Sequence, residues 1–175
     1  MPPLVVVRPA SVKDINEVLS VYTASFVPML LNYHPSVDPS AFEELRLREM
    51  WQQLLSVEDC DVFLASFGDS VAEAAVAVMA LHATPGSDSI ELAKLFVVPE
   101  HQSAGIGREM TNVAIEHARS SGFSRVHLWT WEISHQSRRL YESLGFVLTE
   151  EIGVSGYPGI PLEADVTLRY EQEVN

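Results

Sequence analysis

Hydrophobic positions along this chain recur with two periods, and those periods predict its elements. Residues 4–7 form a short, largely β-branched run that predicts a strand. Ile15, Val18, Leu19, Tyr22 and Phe26 then fall on one face of a helix. Ser11 caps that helix, Asp14 sits at the capping-box position, and Pro28 is expected to stop it. Residues 28–37 therefore read as a loop. Asp38 and Pro39 supply an N-cap and a first-turn proline for a second helix. Its apolar side is expected to carry Phe42, Leu45, Trp51, Leu54 and Leu55. Residues 61–67, 71–82 and 89–98 predict three strands. The pair Gly68-Asp69 and the run Pro85-Gly86-Ser87-Asp88 supply the turns of an antiparallel meander.

Helical spacing returns at Met110, Val113, Ala114, His117 and Ala118, with Gly122 as the C-terminal signal. A strand over residues 125–131, a helix over 136–144 ended by Gly145, and strands over 146–152 and 164–170 complete the series. The loop over 153–162 holds three glycines and two prolines. A helix joins the strand at 89–98 to the strand at 125–131, so the two are expected to run parallel and close together. The fold class is α/β, an α+β arrangement in which helices flank a mixed sheet. No linker or repeat interrupts the pattern, which predicts a single domain over residues 1–175.

One junction in this pattern carries chemistry. The apolar run over 92–98 ends at Pro99. The segment Gln102-Ser103-Ala104-Gly105-Ile106-Gly107 follows and opens a helix. N–H groups at such a turn lack partners within the helix and point outward with partial positive charge, so they suit an anion. Glycine lets a phosphate approach the main chain without a Cβ in the way. The dinucleotide spacing G-x-G-x-x-G fails because its third glycine position is Met110, and no G-x-x-x-x-G-K-[ST] run exists.

Composition narrows the classes. Apolar residues make up 47 % and charged residues 20 % of 175 residues, which suits a globular core rather than disorder. No apolar run approaches the roughly 18 residues of a membrane span. The opening MPPLVVVRPAS has no cationic region before its apolar run and is not expected to act as a signal peptide. The single Cys60 cannot form an internal disulfide, which fits a cytoplasmic setting and a small core residue. A net charge of −13 argues against nucleic acid or an anionic membrane as partner, and it suits a cationic acceptor or solubility alone. A homodimer is compatible with this composition. The six histidines show no metal-ligand spacing, so no metal is expected. The absence of a G-x-S-x-G elbow counts against a serine hydrolase.

From about residue 91 to residue 147 the chain resembles the GCN5-related N-acetyltransferase (GNAT) superfamily. The resemblance rests on LFVVPEHQSAGIG and on SHQSRRLYESLGFV, which is similar to the family's N-x-x-A-x-x-L-Y-E-x-x-G-F. It implies a mostly antiparallel central sheet with a splayed parallel strand pair and acetyl-CoA as cosubstrate. In the matched positions the main chain of Phe96, Val97 and Val98 would bond the pantetheine amides, much as an added strand would. Gln102, Ser103, Ala104, Gly105, Ile106 and Gly107, with Arg108, would hold the pyrophosphate. Two positions depart from the family pattern. The basic residue common before Gly105 is replaced by Ser103-Ala104. The motif's asparagine and alanine are Ser134 and Ser137.

Acetyl transfer to an amine needs a base for the ammonium, a donor to the developing oxyanion and a proton for the leaving thiolate. Tyr141 occupies the position that in many family members protonates the thiolate. Glu91 stands eleven residues before Gln102, the offset of the catalytic glutamate in the histone-acetylating branch. The resemblance makes the Val97 N–H the oxyanion donor. It builds the acceptor side from the first two helices and the loop before the last strand, where Tyr33, His34, Asp38 and Tyr157 are the polar candidates. His82 and His127 are strand residues that could line the cleft, and Trp51, Trp129 and Trp131 are expected in the core. These readings favour an acetyl-CoA-dependent N-acetyltransferase acting on a primary amine of a small molecule or protein. The alternative is a non-catalytic acyl-CoA-binding or sensing module.

Overall fold

The computed structural model describes residues 4–68 and 74–174. Among these residues seven strands form one sheet: β1 (Val5–Pro9), β2 (Cys60–Phe67), β3 (Ala75–Ala83), β4 (Ser89–Val97), β5 (Arg125–Trp131), β6 (Val147–Val154) and β7 (Val166–Glu173). Their spatial order is β1-β2-β3-β4-β5-β7-β6. Every neighbouring pair is antiparallel except β4 and β5. The α-helices among the described residues are α1 (Ile15–Tyr33), α2 (Glu44–Leu54), α3 (Ile106–Ser120) and α4 (His135–Ser143). Among the described residues no helix is long and apolar enough to cross a membrane.

The parallel pair is short. Ser89, Ile90 and Glu91 of β4 pair with Arg125, Val126 and His127 of β5, and there the ladder stops. Beyond Glu91 the two strands part. One edge of β4 is then left open while its other edge continues along β3 as far as the Ala77–Val97 pair. The mixed sheet flanked by helices, with its splayed parallel pair, is the architecture the sequence pattern and the resemblance called for.

Two apolar cores cover the two faces of the sheet. One joins Phe63, Met79, Leu81, Ile90 and Leu92 to Ile106, Met110, Ala114 and Ala118 of α3. The other joins Val62, Leu64, Val78 and Ala80 to Val18, Tyr22, Phe26 and Leu30 of α1 and to Trp51 of α2. Burying a large apolar side chain contributes about 1.5–3 kcal/mol, so these contacts outweigh local signals where the two conflict.

Pro28 is one such conflict. It was expected to end α1, yet the helix continues to Tyr33 and absorbs most of the expected loop. Proline removes one helix bond and crowds the carbonyl four residues back. Phe26 and Leu30, both fully buried, hold the two sides of the interruption against the core. Ser25 also donates its hydroxyl to the Val21 carbonyl at 2.5 Å, in the turn just before the one the proline disturbs. The second helix is also corrected. Asp38 caps only a 3-10 turn, Pro39–Phe42, by accepting from the Ser40 N–H at 2.9 Å. Glu43 is extended and α2 begins at Glu44. Leu45, expected on the apolar side, is 72 % exposed because the register of the shortened helix turns Leu47 and Trp51 inward instead. The turn residue Asp69 and the first three residues of the expected 71–82 strand lie outside the described residues.

Candidate active site

The site grows from an irregularity in β4. Ala80 of β3 pairs with Lys94, but its neighbour Leu81 pairs with Leu92, so Ala93 is an extra residue on β4. A one-residue insertion exchanges the faces of everything after it. Ile90 and Leu92 pack on the α3 face. After the bulge that face receives Leu95 and Val97, while Phe96 turns to the α1 face. Lys94, one turn of the alternation before Phe96, joins it there. Glu91 pairs with His82 before the bulge and shares the same face. The bulge thus brings a carboxylate, an ammonium and an aromatic ring onto one side of one strand.

Where β4 and β5 part, two cavities open. The larger, about 370 Å³, is walled by Phe26 and Met29 of α1, residues 91–96 of β4, Trp129 and Trp131 of β5, and Tyr157. The smaller, about 210 Å³, is lined by Gln102, Ser103, Gly105, Gly107 and Arg108 of the glycine turn, together with Val97 and Tyr33. The two share Met29, Leu95, Phe96, Ser134, Ser137 and Tyr141. They are two chambers meeting at Tyr141.

Tyr141 is buried, and burial pushes its phenol up to about 12. Ser134 joins the same junction. It accepts from the Tyr33 hydroxyl at 3.3 Å and donates to Ser137 at 2.9 Å. In the glycine turn Gly105 has φ +88° and Ser103 φ +62°, left-handed conformations that turn successive N–H groups outward ahead of α3. Arg108 donates to the Ser143 hydroxyl at 2.7 Å, which holds its guanidinium across the mouth between α3 and α4. Gln102 donates to the Val97 carbonyl at 3.1 Å. The Val98 N–H is engaged by the Val76 carbonyl of β3 at 2.9 Å. Alternation along the strand then aims the Val97 N–H at the open edge of β4.

Glu91 is half-buried in the larger chamber, flanked in the sheet by His82 and His127. Those histidines line neither chamber. His127 bonds Ser89 at 2.6 Å, and burial, partly offset by the nearby charge of Glu91, holds its ring below the usual imidazole range. Ala104, Ile106 and Val98 also line neither chamber, and Ile106 is core. Tyr157 walls the larger chamber, and Tyr33 the smaller. His34 is buried under Trp131, 5.0 Å between ring centroids, and Asp38 is an exposed cap.

Three features of the larger chamber had no prior signal. Trp129, expected in the core, is 36 % exposed there. Lys94 reaches the chamber only through the bulge. Asp165 is buried and organises the wall: it accepts from the Trp131 indole N–H at 3.1 Å, from the Gly156 N–H at 2.9 Å and from the Ser155 hydroxyl. Burial works to raise its pKa, but these donors prevail and hold it below the ordinary carboxylate range. Among the described residues no cluster of three or more His, Cys, Asp or Glu is arranged to hold a metal ion.

The family model described as "Acetyltransferase (GNAT) family" matches residues 24–146. A mycothiol acetyltransferase of Nocardiopsis dassonvillei is 38 % identical over 65 residues, which cover 37 % of this chain and 20 % of that protein. The chain therefore spans about a fifth of that relative's length. The Escherichia coli ribosomal-protein-S18-alanine N-acetyltransferase superposes with a TM-score of 0.72 at 16 % identity, covering 98 % of this chain and 95 % of that one. The PaiA N-acetyltransferase of Thermoplasma acidophilum, solved with coenzyme A, gives 0.70 at 15 % identity over 97 % and 99 %. At such identities the structural likeness is one of fold.

Proposed function

The chain belongs to the acetyltransferase (GNAT) family, and on that premise we propose that it moves an acetyl group from acetyl-CoA to a primary amine of a small molecule or peptide. The observation that carries this reading is the pair of chambers meeting at Tyr141, one bearing the glycine turn and the other bearing Glu91. A two-substrate transfer needs such a layout, because donor and acceptor must enter from different sides and meet at one point.

The residues on the donor side fit a CoA-like group. Outward N–H groups at residues 103–107 and the Arg108 guanidinium suit a pyrophosphate. The open edge of β4, at which the Val97 N–H is aimed, suits a peptide-like arm. The main chain of Phe96 and Val98, expected to bond the same arm, alternates back toward β3, where the Val98 N–H is held by Val76. Bound there, acetyl-CoA supplies an activated thioester. Ser134 and Ser137 close the chamber beside it.

Glu91 takes a proton from the acceptor ammonium, so the nitrogen gains a free lone pair. The new C–N bond forms as the C–S bond breaks. The Val97 N–H faces the developing oxyanion. Tyr141 keeps its proton through the neutral range and gives it, or a strong hydrogen bond, to the leaving sulfur. Of the acceptor candidates Tyr157 walls the acceptor chamber. Tyr33 instead reaches the donor chamber beside Ser134, His34 is buried beneath Trp131, and Asp38 caps the outer turn before α2.

The test is thiol release from acetyl-CoA against a panel of amines, with mass measurement of the product. At least one amine should give saturable release and a product heavier by one acetyl group. CoA binding with no release from any amine would leave an acyl-CoA-binding module in its place. A second arm uses Glu91→Gln, which keeps shape but accepts no proton. At neutral pH its kcat/KM for the acceptor should fall, and the loss should shrink as pH approaches the amine's own pKa. Superimposable pH profiles for variant and wild type would remove Glu91 from the base role.

A further inference from the structure

Lys94 is the residue of the larger chamber to which acetyl transfer itself gives no task. It is the only lysine or arginine lining that chamber among the described residues. Its Nζ donates to the Tyr157 hydroxyl at a long 3.4 Å and lies 5.9 Å from the centre of the same ring. None of the ion pairs among the described residues includes it. An ammonium offers three donors, and a half-buried one without an anion is costly in an aromatic setting. The contact with Tyr157 offsets little of that cost.

The chamber around it is shaped for an apolar body. Phe26, Phe96, Trp129, Trp131 and Tyr157 contribute rings. Glycine at position 153 leaves the room that the Trp129 ring occupies against β6. A Cβ there would sit 2.9 Å from the Trp129 ring and 3.0 Å from the Thr167 hydroxyl. That ring is left 36 % exposed inside a concave site, a surface that gains by being covered. Glu91 lies three residues before Lys94 on the same face of the strand. At a strand rise of about 3.3 Å their Cα atoms are roughly 10 Å apart, and both side chains are long enough to lean toward a ligand between them.

We infer that the acceptor is an amino-carboxylic acid with an aromatic or large apolar side chain, its ammonium at Glu91, its carboxylate at Lys94 and its body against Trp129, Trp131 and Tyr157. This inference rests on the acetyl-transfer reading for the fate of the amine. Its nitrogen joins the acetyl carbon as the thioester C–S bond breaks, and the carboxylate is unchanged, so the products are the N-acetyl acid and CoA. The same lysine repels a second ammonium, which disfavours polyamines.

The experiment compares phenylalanine with phenethylamine, which lacks only the carboxylate, and includes spermidine. Each is assayed for thiol release at saturating acetyl-CoA. Each is also titrated for equilibrium binding through intrinsic fluorescence, because Trp129 and Trp131 line the chamber. Wild type should prefer phenylalanine by roughly 10- to 100-fold in kcat/KM and in binding, the worth of one charge-assisted hydrogen bond. Lys94→Met, folded and still binding CoA, should erase that preference by raising the KM for phenylalanine while phenethylamine stays as it was. Equal or better use of phenethylamine or spermidine by wild type overturns the inference. So does a Lys94→Met or Lys94→Gln variant that weakens both aromatic compounds alike, since that is the mark of a prop for Tyr157. If no amine turns over but phenylalanine still binds through its carboxylate and Lys94, acetyl transfer fails and the inference about the ligand stands. If phenylalanine neither turns over nor binds in that way, the inference falls.

Discussion

At the scale of single residues, Tyr141 gives the sharpest expectation. It stands at the join of the two chambers, and among the described residues its hydroxyl has no protein partner to occupy it. Burial lifts its pKa to about 12, so the proton is present at every pH where the enzyme would work. Tyr141→Phe removes one oxygen and almost no volume. Turnover should fall by on the order of 10²- to 10⁴-fold, with the KM for acetyl-CoA little changed, when chemistry is shown to limit the rate. Near-full turnover in a folded variant would return Tyr141 to a packing role. This residue was legible because a motif and its spacing mark it. Lys94 was not legible for a physical reason. Strict alternation from Glu91 would send Lys94 to the opposite face with Leu92, and only the extra residue Ala93 reverses that. A bulge on a strand of mixed small and large residues leaves no distinct mark in composition.

At the scale of elements, strands and glycine turns were readable because period-two runs and turn residues act locally. The path of α1 was not, because the burial of Phe26 and Leu30 overrides the stop signal of Pro28. Long-range placement also hid Asp165. It precedes β7 in the chain, yet it ties Trp131 of β5 to the residues 155–157 that wall the larger chamber. Asp165→Asn tests that tie. Three donors converge on the two oxygens, so an amide group must set an N–H against at least one of them. The loss should be about 2 kcal/mol, which lowers Tm by about 4–8 °C for a chain of this size. The acceptor KM should rise while the acetyl-CoA KM holds, because the glycine turn lies elsewhere. The carboxylate's pKa is lower folded than unfolded, so its contribution is present above about pH 4 and is lost as pH falls further. Wild type and variant should therefore converge in stability in acid. A constant gap down to pH 2, followed by thermal unfolding, would mean that the charge of Asp165 is not what holds the loop.

At the scale of the whole molecule, the net charge of −13 opposes the chemistry proposed for the donor chamber. CoA is a polyanion, and the long-range field repels it. The attraction comes only at contact, from the N–H groups of residues 103–107 and from Arg108, because the basic residue common before Gly105 in the family is missing. The two effects have different ranges and so respond differently to salt. Raising ionic strength from about 0.01 M to 0.15 M shortens the screening length from about 30 Å to about 8 Å. That removes most of the repulsion felt during approach and much less of the contact attraction inside the chamber. The association rate constant for CoA, measured by stopped flow on the tryptophan signal, should therefore rise over that range, by roughly twofold to tenfold. A cofactor site drawing its ligand in by a cationic rim would show the opposite slope. A rate that falls with salt would show that the Arg108 mouth dominates the approach, and the global charge would then have no part in how donor and acceptor are sorted. An amino-acid acceptor carries no net charge at neutral pH, so its kcat/KM should stay nearly flat across the same salt range. A cationic amine should instead lose its steering as the field is screened.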